Sequence, residues 1–154
     1  MATVYSVQKT KWSQNNPTER VNTNEQAGRI RIAYALYEAS SLSADDVIEM
    51  FNLPNGARVL EGTLTHDALG SSTTLSVGHA AYNNSAGTAV ALDADEFFAA
   101  AASTSITTVA VAATSALGRN SVIDADGDGF PVTVTLAGAA GTGTIELQMY
   151  YVVD

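Results

Sequence analysis

Residues 46–66 read DVIEMFNLPNGARVLEGTLTH, and this stretch predicts two β-strands joined by a tight turn. Pro54-Asn55-Gly56 is a turn signal, because proline presets φ and glycine accepts a positive φ. Residues 46–53 predict the first strand, and residues 58–66 alternate between two faces with the period of two that strands show. A strand–turn–strand unit of this kind is typical of an all-β fold.

Similar short strands are predicted along the rest of the chain. They cover residues 30–37, 73–78, 88–92, 105–112, 121–123, 132–136 and 144–153. In residues 30–37 the bulky apolar side chains fall on one face, which predicts a half-buried strand. Residues 138–143 (GAAGTG) predict a hairpin loop between the last two strands. Eight or nine short strands without strand–helix–strand alternation predict an all-β protein, an antiparallel β-sandwich that is jelly-roll-like.

One segment predicts a helix instead. Asp93 is a suitable N-cap, Glu96 stands three residues later in the capping-box position, and residues 99–102 are alanines. We therefore expect one short helix of about ten residues, which needs Phe97 or Phe98 to pack on the body.

The chain has 154 residues and no cysteine. That length predicts one domain with enough buried surface to fold without cross-links. The lack of cysteine excludes a disulfide scaffold, a thiolate zinc site and a cysteine nucleophile. No apolar run has the length of a membrane span, and the first residues lack the apolar segment of a signal peptide, so we expect neither.

Charge is divided unevenly along the sequence. Residues 1–31 carry a net charge of +3, whereas the remaining 123 residues carry −12. An acidic body argues against binding to nucleic acid. Residues 1–27 are polar and contain Pro17, so we predict an extended N-terminal arm over 1–27 and a β-sandwich body over 28–154.

The basic arm is suited to dock on an acidic surface, including one on a neighbouring copy of the chain. Its Trp12 is a large apolar group that needs a pocket in the body or in a partner. We predict that six residues make this contact: Lys9, Lys11, Trp12, Arg20, Arg29 and Arg31. The alternative is a solvated tail whose charge only aids solubility.

Residues 124–129 (DADGDG) match the opening of a calcium-binding loop. Asp124, Asp126 and Asp128 alternate and Gly129 follows, which gives hard oxygen ligands on a sharp turn. The match ends at the twelfth position, where Thr135 replaces the expected bidentate glutamate, and strands rather than helices flank the loop. A hairpin loop that uses Asp and Gly for turn geometry is the favoured interpretation, and a weak Ca²⁺ site is the alternative.

No arrangement in the sequence predicts catalysis. His66 and Asp67 lie near two serines, but no nucleophile elbow is present and no second element orients the base. His66 and His79 lack a clear third metal ligand. Residues 138–143 resemble a phosphate loop but lack its lysine and the helix that follows. We therefore predict a protein that is not an enzyme and needs no cofactor.

The sequence resembles a known family over residues 20–154. The segments that carry the resemblance are VNTNEQAGRIRIAYALYEAS (21–40), LSVGHAAY (75–82), LDADEFFAAAAS (92–103), LAGAAGTGTIELQMYYVVD (136–154) and, most specifically, the run D-V-I-x-M-x-x-L-P-x-G-A-R-V-L over 46–60. They resemble the capsid decoration (cement) proteins of tailed bacteriophages, marine phages in particular. This resemblance implies a jelly-roll-like virion protein on the outer surface of the head, bound to the major capsid protein and often a homotrimer. The motifs contain no catalytic signature.

Two other function classes stay open beside this one. The chain is also compatible with another virion component, such as a head-fibre, neck or tail protein. A calcium- or carbohydrate-binding β-sandwich module is the second alternative, although the 11 aromatic residues are spread along the chain rather than clustered.

Overall fold

The computed structural model describes residues 4–13, 18 and 20–153, and its main elements are β-strands. Eight of them form two four-stranded antiparallel sheets, and two short ones form a separate hairpin. The strands are β1 (Ile30–Leu42), β2 (Val47–Leu53), β3 (Arg58–His66), β4 (Thr74–His79), β5 (Tyr82–Asn83), β6 (Ala89–Val90), β7 (Asp93–Ala102), β8 (Thr107–Val111), β9 (Phe130–Ala137) and β10 (Gly141–Val152). The helices are α1 (Val7–Ser13) and a 3₁₀ turn at Ser115–Leu117.

The order of the strands confirms the predicted jelly-roll-like sandwich. The first sheet has the order β1-β10-β3-β8, and the second has the order β2-β9-β4-β7. Along the chain, a strand of one sheet is followed by a strand of the other sheet. β7 is the exception, because it follows β4 within the second sheet and pairs with it. This interleaving of two antiparallel sheets by crossing connections is the jelly-roll arrangement.

The core fills the space between the two sheets. Leu64, Leu147 and Met149 of the first sheet and Val134 and Leu136 of the second are fully buried. All five belong to one continuous cluster of buried apolar side chains, and burial of such groups is the main source of folding stability.

The predicted helix over residues 93–102 is wrong, because this segment is strand β7. Asp93 accepts a hydrogen bond from the backbone N–H of Asp95 at 3.0 Å, a local bond at the start of the strand rather than a helix cap. Phe97 is fully buried, and Ala101 and Ala102 pair with Leu75 and Thr74 of β4. The open edge of β4 therefore overrides the helix propensity of the alanines.

Two predicted hairpin loops are also wrong. Residues 138–140 connect β9 and β10, which belong to different sheets, so the connection crosses the sandwich, and residues 141–143 already belong to β10. Gly138 makes this crossing with a φ of +88°, and a Cβ there would lie 2.2 Å from the carbonyl oxygen of Ser72. Residues 124–129 likewise lead into β9 without pairing a strand before them, since the predicted strand at 121–123 is reduced to one bridge between Val122 and Arg58.

The helix α1 lies within the predicted extended arm, so the arm is not extended over those residues. Ser6 begins the helix, because its side-chain Oγ accepts a hydrogen bond from the backbone N–H of Lys9 at 3.2 Å. Pro17 lies outside the described residues, and the division into arm and body stays a prediction. No helix in the described ranges is long and apolar enough to cross a membrane.

Candidate interaction surface

Glu25 organises the contacts between α1 and the segment that precedes β1. Its Oε1 accepts a hydrogen bond from Gln8 Nε2 at 3.1 Å, and its Oε2 lies 3.8 Å from Lys11 Nζ. The hydrogen bond from Gln8, followed by that from the backbone N–H of Asn22, holds the pKa of Glu25 below its usual value. One carboxylate thus links the helix to the chain that leads into β1.

The same segment is joined to the body at the start of β3. Arg58 Nη1 donates to the carbonyl oxygen of Asn24 at 3.4 Å, and Arg58 Nη2 donates to Asn120 Oδ1 at 2.8 Å. The arm therefore leaves the sandwich at the end of the first sheet where β1 and β3 begin.

The structure places the six residues predicted for contact in three parts of the chain. Lys9, Lys11 and Trp12 lie together on α1, where Lys9 and Trp12 are exposed. Arg29 and Arg31 lie at the start of β1, and exposed Arg20 lies in the segment between. Their role in contact with a partner stays a prediction.

Sequence reasoning missed a larger exposed surface on β1. Ile30, Ile32, Tyr34 and Leu36 are between 49% and 68% exposed, and we call these four residues the β1 stripe. The period of two was predicted without naming the buried face, and the less exposed face is the one with Ala33 and Ala35, which are half-buried. Ala33 lies opposite Met149 and Ala35 opposite Leu147, so small side chains of β1 face large buried ones of β10. The alanines at alternating positions were the feature of the sequence that could have identified the inward face of β1.

Polar and acidic side chains continue this outer face beyond the β1 stripe. Tyr150 lies opposite Ile32, and Gln148 lies opposite Tyr34 and donates a hydrogen bond to the Tyr150 hydroxyl. Three carboxylates border the apolar residues: Glu38 follows them on β1, Glu146 lies opposite Leu36, and Glu61 lies opposite Tyr150. Tyr150 is therefore the outward-facing ring of the pair, while Tyr151 packs against the core. The outer face of the first sheet is both apolar and acidic.

Two of the three aspartates of the candidate calcium loop accept hydrogen bonds from backbone N–H groups. Asp124 Oδ1 accepts a hydrogen bond from the backbone N–H of Ser85 at 3.2 Å. Asp126 Oδ1 accepts one from the backbone N–H of Asp128 at 3.0 Å, as an Asx turn does. Among the described residues, no three His, Cys, Asp or Glu side chains form a group suited to hold a metal ion.

The His66 and Asp67 side chains do not face each other as a catalytic pair would. His66 Nδ1 lies 2.8 Å from the carbonyl oxygen of Asp67, while Asp67 Oδ2 accepts a hydrogen bond from the backbone N–H of Thr144 at 2.9 Å. This bond and a second from the Thr144 side chain hold the pKa of Asp67 below its usual value. Both residues join β3 to β10 at one end of the first sheet.

A cluster of aromatic rings that includes the titratable side chains of His79 and Tyr82 lies where β4 ends and β9 begins. His79 and Tyr82 both pack on Phe130, with ring centroids 4.9 Å and 5.0 Å away, and Phe97 lies 5.9 Å beyond. Burial, followed by the carboxylates of Asp124 and Glu96, raises the pKa of Tyr82. This geometry is that of aromatic packing between β4, β7 and β9.

Chains in three phage capsid structures have a fold similar to that of this protein. A chain in the capsid of Ralstonia phage GP4 is 24% identical, with a TM-score of 0.62, and the match covers 82% of this chain and 86% of that one. A chain in the cyanophage Pam1 capsid asymmetric unit is 22% identical, with a TM-score of 0.60 and the same two coverages. A chain in the acid-stable capsid of Helicobacter pylori bacteriophage KHP30 is 16% identical, with a TM-score of 0.52, over 80% of this chain and 87% of that one.

These likenesses, all below 25% identity, establish a shared fold. No protein-family model matches the sequence, and no curated protein matches it at a significant level.

Proposed function

We propose that this protein is a structural component of a tailed-phage virion that binds the outside of the head. In that position it stabilises the shell by bridging neighbouring subunits of the major capsid protein. The observation that carries the proposal is the jelly-roll likeness to chains in the phage GP4 and Pam1 capsid structures, over more than four-fifths of this chain.

The surfaces of the molecule support a role in assembly. A single β-sandwich with one continuous core is a rigid body, and the β1 stripe and Trp12 leave large apolar side chains on its outside. Exposed apolar groups gathered on one face are typical of protein–protein contact. Many copies on one shell multiply a weak contact into a large stabilisation.

Co-sedimentation of the full chain with undecorated capsids of its own phage tests the proposal. We expect saturable binding at hundreds of copies per capsid and a higher melting temperature of the decorated shell. Saturation at a dozen copies or fewer would contradict the decoration role and favour a vertex, neck or tail component. No binding would contradict the virion proposal and favour a stand-alone binding module.

Arm variants test whether the arm is needed for capsid binding, either directly or through contact between neighbouring copies of the chain. We expect a chain with Lys9→Gln, Lys11→Gln and Trp12→Ala to keep its fold and lose most of its capsid binding, as should a chain without residues 2–20. Arg119→Gln removes an exposed cation of the body and is the matched control, for which binding should be unchanged. Full binding by both arm variants would show that the contact lies elsewhere.

A further inference from the structure

Two places in the described chain each gather four exposed large apolar side chains. One is the β1 stripe, on the outer face of the first sheet. The other is the segment from residue 4 to residue 13, which we call the arm segment, where Val4, Tyr5, Val7 and Trp12 are between 61% and 89% exposed. Water contact with both surfaces is unfavourable, and joining them would bury apolar area from each.

The two surfaces carry opposite charge. The arm segment contains Lys9 and Lys11 and no Asp or Glu. The outer face of the first sheet presents Glu38, Glu61 and Glu146 around the β1 stripe. A basic apolar segment and an acidic apolar face are complementary in both respects, and such complementarity selects partners.

Their lengths also agree. The β1 stripe spans six residue steps of an extended strand, which is about 20 Å. The arm segment has three residues before α1, which extend over about 10 Å, and the seven residues of the helix add about 10 Å. The arm segment is therefore long enough to cover the stripe from end to end.

Residues 4–13 of the same chain, the part of the arm defined above as the arm segment, do not occupy this face. Gln8 and Lys11 hold α1 against Glu25, and the segment around Asn24 is fixed to Arg58, yet the β1 stripe stays exposed. We propose that the β1 stripe receives the arm segment of a second copy of this chain, with Trp12 packed on the stripe and Lys9, which lies one helical turn before it, facing Glu61 and Glu146.

Such a contact joins two different surfaces, so it is propagated from copy to copy until a ring closes. A reciprocal dimer and a trimer are the smallest closed forms, and both agree with the proposal. The inference concerns the isolated protein and does not depend on capsid binding.

Sedimentation velocity of the purified full chain, combined with the fluorescence of its single tryptophan, tests the proposal. We expect a closed oligomer in which Trp12 emission is shifted to the blue and protected from a soluble quencher. Both Trp12→Ala and the double variant Ile32→Thr, Tyr34→Thr should sediment as one copy, with an unchanged circular dichroism spectrum. Threonine preserves the β-propensity of the strand. Ile106→Thr is the matched control, because Ile106 is 75% exposed outside the β1 stripe, and it should remain oligomeric.

Charge reversal shows whether the partner is a second copy. A chain with Lys9→Glu and a chain with Glu61→Lys and Glu146→Lys should each be monomeric, because arm and face then repel, and both variants leave the pair of Lys11 with Glu25 intact. Mixing the two should restore association.

Three results would overturn the inference. They are a monomeric wild-type chain with exposed Trp12, a monomeric chain with protected Trp12, and an oligomer that survives both Trp12→Ala and the stripe variant. The second result would mean that the chain's own sheet holds the arm. If a monomeric chain binds capsids, this inference is wrong and the proposed function stands. If the chain forms the oligomer but does not bind capsids, this inference stands and the proposed function is wrong.

Discussion

The close approach of β4 and β7 at Gly78 leads to a sharp prediction for Gly78→Ala. A Cβ at this position would lie 2.0 Å from the carbonyl oxygen of Asp93 and 2.5 Å from the carbonyl carbon of Ala94. Both atoms belong to the backbone, so no side-chain rotation relieves the overlap. The two strands must move apart, and Gly78 lies between β7 on one side and β9 on the other.

The size of the effect follows from this overlap. Overfilling a packed interior costs about 1–3 kcal/mol, and a clash with the backbone of β7 places Gly78→Ala at the upper end, about 3 kcal/mol. For a domain of this length, each kcal/mol lowers the melting temperature by about 2–4 °C, so the expected fall is about 6–12 °C. Thermal unfolding followed by circular dichroism measures it.

Gly127→Ala is the matched control for this experiment. A Cβ on Gly127 would meet nothing within 4 Å, so the free energy of unfolding should change by less than about 0.5 kcal/mol. If residues 93–102 formed a helix, nothing in the sequence would place Asp93 against Gly78, and alanine would be neutral or stabilising in a strand. An unchanged or higher melting temperature for Gly78→Ala would therefore refute the pairing of β4 with β7.

Three further predictions concern the core, pH and calcium. Phe97→Ala should lower the free energy of unfolding by about 3–5 kcal/mol in a urea titration, because Phe97 is fully buried, and the half-buried neighbour Phe98→Ala should cost clearly less. The pKa of Asp67 is lowered in the folded state, so this carboxylate stabilises the fold above its usual pKa of 3.8, and the stabilisation is lost as the pH falls through the lower folded pKa. The midpoint of urea unfolding, measured from pH 6 to pH 2, should therefore fall less for Asp67→Asn than for the wild type. Parallel curves for the two proteins would contradict this prediction. Calorimetric titration with Ca²⁺ should give no saturable heat with a Kd of about 1 mM or tighter, and a saturable heat that disappears in Asp126→Ala would contradict it.

The strands were predictable where local pattern and final environment agree. Residues 58–66 were predicted as a strand with the bounds that β3 has, because a central strand between β10 and β8 needs one buried face along its whole length. Residues 93–102 show the opposite case. Their capping residues and alanines favour a helix locally, and only the edge of β4, which is distant in sequence, turns them into a strand.

The connections between strands could not be read from turn residues alone. Gly-rich loops such as residues 138–143 suit a hairpin and a crossing between sheets equally well, and the choice depends on the pairing of every other strand. The candidate interaction surface could also be predicted only in part. Lys9, Lys11 and Trp12 were identified from charge and size, but the β1 stripe was missed because a row of apolar side chains normally indicates the buried face.

A cryo-EM reconstruction of the intact virion tests the central proposal most directly. We expect density that fits the two-sheet jelly roll on the outer surface of the head, in hundreds of copies, each in contact with more than one subunit of the major capsid protein. A head without such density, or density confined to a vertex, the neck or the tail, would contradict it.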